Sequence, residues 1–230
     1  MQIDQAERGF SFQSDGPLDM RMSGAGLSAA DVVNRFDADE LASIFWTYGE
    51  EKRSRAVARA IVARREEEQF TRTGDLAQLV AQVMGARARA EKVHPATRTF
   101  QALRIFVNDE LGELARGLSA AEALLAPGGR LAVVSFHSLE DRMVKRFLVE
   151  RTGKTARPSR HMPIAAVGPA ASFAEVTRGA GKASKSEVDV NARSRSAKLR
   201  GAERTAAPVQ VLDLKALGLQ RFHDLQRGLS

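Results

Sequence analysis

The segment Ser135-Phe136-His137-Ser138-Leu139-Glu140-Asp141-Arg142 puts two hydroxyls, an imidazole, two carboxylates and a guanidinium within eight residues. An imidazole beside carboxylates can accept a proton, pass one on, or orient an N–H group of a substrate. The competing explanation is helix capping, with Ser138 as N-cap and Glu140 and Asp141 favouring the helix dipole. Capping accounts for Ser138 and the acids. It does not account for His137 or for the density of groups. A second segment, Asn191-Ala192-Arg193-Ser194-Arg195-Ser196-Ala197-Lys198-Leu199-Arg200, is basic and rich in hydroxyls. Arginine and serine side chains suit phosphate oxygens. The competing explanation there is a charged edge strand guarded against aggregation. The other histidines, His94, His161 and His223, are scattered, so no metal site is expected from spacing.

The elements that must position these groups can be read from periodicity. Leu131-Ala132-Val133-Val134 is a nearly continuous apolar run. Such a run suits a strand buried on both faces, as in a parallel sheet. It follows the turn Pro127-Gly128-Gly129 and leads into a helix over 139–150. Helix, turn, buried strand and helix make the repeating unit of a doubly wound α/β sheet, whose ligands sit at the carboxyl ends of strands. The rim at 135–142 occupies that place. Upstream, 27–85 reads as four helices without strands, with Ser28, Asp37 and Thr73 as N-caps. The pattern predicts one long helix over 96–117 and a short one opening at Ser119. Downstream, strands are expected at 172–177, 197–203 and, weakly, 209–214. The first 26 residues read as a loop packed down by its phenylalanines and methionines.

Two glycine motifs carry no phosphate site. Gly24-Ala25-Gly26-Leu27-Ser28-Ala29 lacks the buried strand that a dinucleotide fingerprint requires, and Gly179-Ala180-Gly181-Lys182 lacks the spacing of a phosphate loop. Asp15-Gly16-Pro17-Leu18 is a faint echo of the D/N/S-P-P-Y/F tetrapeptide of amino-methyltransferases, and reads as a loop.

Composition narrows the class. The 230 residues are 43% hydrophobic and 27% charged, the balance of a globular protein. Cysteine is absent, which excludes disulfide frameworks, thiol catalysis and cysteine-ligated zinc, and fits a reducing cytoplasm. No apolar run approaches the ~18 residues of a membrane span, and no signal peptide is evident at the start. The net charge is +7. Residues 151–204 hold 12 basic residues against four acids, so the excess is concentrated there. A localised basic segment is the footprint of a phosphate-backbone partner.

Four stretches together carry a resemblance: Gln2 to Met22, His94-Pro95-Ala96-Thr97-Arg98-Thr99-Phe100-Gln101-Ala102-Leu103-Arg104, Ser135 to Arg142, and Asn191 to Arg200. The chain resembles the ribosomal RNA small subunit methyltransferase H family, also called MraW, over almost its whole length. The resemblance implies a bacterial cytoplasmic enzyme that transfers methyl from S-adenosyl-L-methionine to the exocyclic N4 of a cytidine in the decoding region of 16S rRNA. The implied fold is α/β, a partial class I (Rossmann-like) methyltransferase sheet with an inserted all-helical domain. Residues 1–4 would be a remnant of the methyltransferase domain, 5–94 the helical substrate-recognition insert, 95–204 the second part of the methyltransferase domain and 205–230 a tail. The family's Gly-rich cofactor loop, acidic ribose ligand and Asp-Leu-Gly strand end would all precede Met1. The expectation is therefore a chain lacking its first four or so strands, from a truncated gene model or a misplaced start codon.

The site residues expected on this footing are Ser135, His137 and Asp141 lining the cytidine pocket, with His137 as acceptor or proton relay. Gln2 would contact the cofactor, and Arg193, Arg195, Lys198 and Arg200 would hold RNA phosphates. The expected partner is 16S rRNA in the small ribosomal subunit, with no membrane and a homodimer left open. The alternative is a truncated, non-catalytic RNA- or ribosome-binding fragment. A basic helical DNA-binding protein is the weakest reading, because no helix-turn-helix is evident.

Overall fold

The computed structural model describes residues 4–89, 93–154 and 169–219. The chain divides into two compact units, Met1–Glu110 and Leu111–Ser230.

In the first unit the expected helices form: α1 (Ala29–Arg35), α2 (Ala38–Gly49), α3 (Ser54–Arg65), α4 (Thr73–Arg89, kinked at Gly85) and α5 (Thr97–Val107). Ser28 and Asp37 are N-caps as expected. Each belongs to a capping box, Ser28 with Asp31 and Asp37 with Glu40, which satisfies backbone N–H groups at both ends of the first turn. Thr73 behaves differently. It is the first residue of α4, and its hydroxyl accepts from Gly16 N at 3.0 Å. The α4 terminus is tied instead by Asp15, whose Oδ1 accepts from Gly74 N at 2.9 Å. Asp15 also pairs with Arg72, and Leu18 N donates to Thr71 O at 2.9 Å. The tetrapeptide Asp15–Leu18 is thus a clamp on α4. The N-terminal loop packs down as its composition predicts, with Phe10, Leu18 and Met20 buried. The core beneath is Val32, Leu41, Ile44, Phe45, Val57, Ile61, Leu76 and Leu103.

The long helix expected over 96–117 is broken at Asn108–Asp109, where Asp109 takes φ 46°. Asn108 holds the N-terminal loop: its Nδ2 donates to Met20 O at 2.7 Å and its Oδ1 accepts from Met22 N at 2.7 Å. The break follows from that long-range bonding, which no local pattern encodes.

The second unit holds the mixed α/β part. Helix α6 (Glu110–Leu124) runs through Ser119, which therefore opens no helix of its own. A glycine turn with Gly128 at φ 85° leads to β1 (Arg130–Ser135), then α7 (Ser138–Arg151), β2 (Phe173–Glu175), β3 (Gly181–Lys182), α8 (Lys185–Val190), a 3-10 turn (Ala192–Ser196) and β4 (Lys198–Arg204). Both β2 and β3 pair with β4, and the path of the sheet is β1-β4-β2. All pairings among the described residues are antiparallel. The basic strand predicted at 197–203 is therefore central, not an edge strand. The segment 209–214 forms no strand.

The register Ser135↔Lys198, Val133↔Arg200, Leu131↔Ala202 puts these residues on one face of the sheet. Asp141 of α7 reaches Lys198 and Arg200, and Phe147 of α7 meets Phe173 with ring centroids 6.1 Å apart, so α7 covers that face. On the opposite face Val134 is 53% exposed and its partner Leu199 is 42% exposed. The expected burial on both faces of β1 is not observed among the described residues, where β4 is its single strand partner.

Candidate functional site

The candidate site begins where β1 ends. Ser135 is its last residue and is 4% exposed; its hydroxyl donates to Lys198 O at 3.4 Å. Phe136 follows, 56% exposed, as the chain leaves the sheet. The next residue, His137, is the N-cap of α7. The cap is not Ser138, as expected from side-chain type, but the imidazole one position earlier. His137 Nδ1 accepts from Glu140 N at 3.4 Å, while Glu140 Oε2 accepts from His137 N at 3.3 Å and from Phe136 N at 2.8 Å. The other ring nitrogen, Nε2, lies 3.3 Å from Glu140 Oε1. Glu140 therefore orients His137 through the Nδ1 cap bond, while the buried Nε2 lies near its carboxylate without a hydrogen bond among the described residues. Burial pushes the Glu140 carboxyl up, but His137 and the two backbone N–H groups outweigh it and hold the group below the ordinary glutamate range.

One residue on, Asp141 is 8% exposed. Its Oδ2 accepts from Lys198 Nζ at 2.9 Å and its Oδ1 from Arg200 Nε at 2.8 Å. Burial raises its pKa, but the Arg200 and Lys198 bonds and charges overcome this and keep it below the ordinary aspartate range. The structure thus brings together Ser135, Asp141, Lys198 and Arg200, while the His137 ring is engaged with Glu140 at the start of α7. The register Ser135↔Lys198 is what joins the two segments singled out from sequence.

Arg193 and Arg195 sit apart from that cluster, on the 3-10 turn preceding β4. Asn191 Oδ1 accepts from Arg193 N at 3.2 Å and Asn191 O from the Ser194 hydroxyl at 2.8 Å. This turn buries Ser194 and leaves both arginines exposed. Gln2, His161 and His223 lie outside the described residues. His94 belongs to the first unit, where its ring stacks on Phe12 with centroids 4.6 Å apart.

Two features were missed in the sequence. One is the capping-box role of Glu140, which stands three residues after the cap only once His137, not Ser138, is the N-cap. The second is a fully buried ion pair, Arg151 Nε to Glu122 Oε2 at 2.8 Å. Arg151 also meets Glu150 at 2.8 Å and donates to Val211 O at 3.1 Å, while Gln210 N donates to Glu122 Oε1 at 3.1 Å. No sequence spacing announces a pair 29 residues apart.

Comparison with known proteins shows the family. The profile of the MraW methylase family matches residues 1–205. A protein of Parvibaculum lavamentivorans named "Ribosomal RNA small subunit methyltransferase H" is 64% identical over 231 aligned residues, covering 100% of this chain and 67% of the relative. Proteins of the same name from Bartonella henselae and Caulobacter vibrioides are 56% and 60% identical, covering 99% and 91% of this chain. They are covered over 65% and 67% of their own length, so the chain spans about two thirds of the relatives it matches.

Proposed function

We propose, from the premise that this chain belongs to the MraW methylase family, that it methylates small-subunit ribosomal RNA with S-adenosyl-L-methionine as methyl donor. The observation that carries the reading is the match of the whole chain, at 64% identity, to a protein named for that activity. The finer proposal is transfer to the exocyclic N4 of a cytidine in the decoding region of 16S rRNA, in the cytoplasm. In this reading residues 5–94 recognise the substrate and 95–204 belong to the methyltransferase domain.

The cytosine amine is a weak nucleophile because its lone pair is delocalised into the ring. It must be oriented, and a proton must leave when the new bond forms. Ser135 and His137 line the pocket for the base. His137 Nδ1 is the accepting atom, since its bond from Glu140 N is long at 3.4 Å and can be exchanged. The Glu140 carboxylate against Nε2 stabilises the imidazolium that results. Both oxygens of Asp141 are engaged, so its part is to set the local charge and to hold Lys198 and Arg200 in place. Arg193, Arg195, Lys198 and Arg200 hold phosphates of the RNA.

The described rim does not fit the cofactor by itself. Both its carboxylates already serve neighbouring groups: Glu140 caps the start of α7, and Asp141 holds Lys198 and Arg200. Gln2 is the one proposed cofactor contact.

Incubation of this chain with small ribosomal subunits and methyl-labelled S-adenosyl-L-methionine tests the reading. The expected result is label on a cytidine amine, detected by nucleoside mass spectrometry. No label, no calorimetric heat with the donor, and retained RNA affinity would establish the alternative, a non-catalytic RNA- or ribosome-binding fragment.

A further inference from the structure

Helix α7 carries Arg142, Lys145 and Arg146 at exposed positions. Spacings of three and four residues put them on one face of the helix. This face borders two concavities. One, of about 280 Å³, is lined by Arg142, Lys145, Arg146, Val149, Glu150 and Ala216. The other, of about 200 Å³, lies between α7 and strands β2 and β4, with Lys145, Lys154, Thr177 and Arg200 among its lining. Lys145 and Val149 line both, so the two hollows adjoin along α7.

The charges in these hollows are unbalanced. The acid of the first, Glu150, is paired with the Arg151 guanidinium at 2.8 Å. The acid of the second, Glu175, is paired with Lys154. Arg200 is held by Asp141. Lys145 has no acid partner among the described residues, and it lines both hollows. Among the described residues that line the two hollows there is no large aromatic side chain, the usual anchor of a protein partner. Solvent-open cationic hollows in sequence along a helix match a polyanion whose charges repeat along a strand.

We propose that the Arg142–Lys145–Arg146 face of α7 is a phosphate track for single-stranded RNA, with Lys145 its central contact. The track extends the RNA contact beyond Arg193, Arg195, Lys198 and Arg200, and it rests on the reading of the chain as an RNA-acting protein. It also shifts the weight of binding. Lys198 and Arg200 already share Asp141, so a phosphate there competes with a carboxylate, whereas the acids near Lys145, Glu150 and Glu175, are paired with Arg151 and Lys154.

The test is fluorescence anisotropy with a labelled single-stranded RNA copied from the decoding region, titrated at several salt concentrations. Lys145→Gln should weaken binding about fivefold at 0.1 M salt and lower the slope of log K against log salt by about 0.7. Adding Arg142→Gln should lower the slope further, and Lys145→Arg should restore it. Arg116→Gln on α6, an exposed charge outside the proposed RNA contacts, is the control. Circular dichroism checks that each variant is folded. A slope unchanged in the double variant, with wild-type binding intact, overturns the track and leaves the RNA reading standing. Absence of salt-dependent binding in the wild type overturns both.

Discussion

The two units use their polar groups in opposite ways. In the helical unit, polar side chains mostly finish backbone. Ser28, Asp37 and Asp15 satisfy helix N-termini, and Asn108 satisfies the loop at Met20 and Met22. In the sheet unit, charged side chains meet one another across long stretches of chain: Asp141 with Lys198 and Arg200, and Glu122 with Arg151. A backbone cap is a neutral or singly charged bond near solvent. A buried ion pair removes two charges from water and is tolerated only while both partners are present. The second unit is therefore the one in which a single substitution is most damaging.

The strongest way to break this contrast is Glu122→Ala. It leaves the Arg151 guanidinium buried without its main partner and should destabilise the protein by about 3–5 kcal/mol. A loss of unfolding free energy of that size, obtained from urea midpoint and slope, is expected. A loss below ~1 kcal/mol would show that the pair is solvated and the contrast false. Next comes Ser28→Ala in the helical unit, expected to cost about 1 kcal/mol as one lost cap. A cost as large as that of Glu122→Ala would erase the distinction between the units.

His137 allows a sharper experiment, because it caps α7 and is proposed to handle a proton. His137→Asn keeps a capping side chain, so stability should change by less than about 0.5 kcal/mol, whereas His137→Ala should cost about 1 kcal/mol. If the imidazole takes the proton, methyl transfer by both variants should fall at least about 100-fold. Asparagine restoring turnover as well as stability would reduce His137 to a cap.

The smallest effect is in acid. The folded-state pKa values of Asp141 and Glu140 lie below their ordinary values. Their contribution to stability is thus fully present above the ordinary carboxylate range. It is lost as pH falls below about 4 and through the lowered folded-state values. Asp141→Asn should flatten the acid limb of the stability profile without altering its slope above pH 6. An unchanged acid limb would mean that Lys198 and Arg200 are not its partners in solution.

Much of the fold was legible because it depends on local patterns. Apolar spacing and caps placed helices α1 to α5, and the apolar run with its glycine turn placed β1. The rim at 135–142 was legible as a concentration of groups, and the basic segment at 191–200 as a charge pattern. What escaped were relations between distant residues. Asp15 tying α4, Asn108 ending α5 and Arg151 meeting Glu122 each join residues 29 or more positions apart. The cap of α7 escaped for a different reason: Ser138 is the stronger capping type, and only the backbone shows that His137 holds the extended conformation a cap requires.

By itself the sequence determined where most of the helices and the strands β1, β2 and β4 lie, where the chain is basic, and to which family it belongs. These depend on side-chain type and spacing along one dimension. The tertiary structure alone decided that β4 is central, that Ser135 faces Lys198, and that Asp141 holds two cations from a strand 57 and 59 residues later. Strand register and burial of a charge are set by what lies across space. The role of a residue such as Asp141, free acid or occupied clamp, depends on those neighbours.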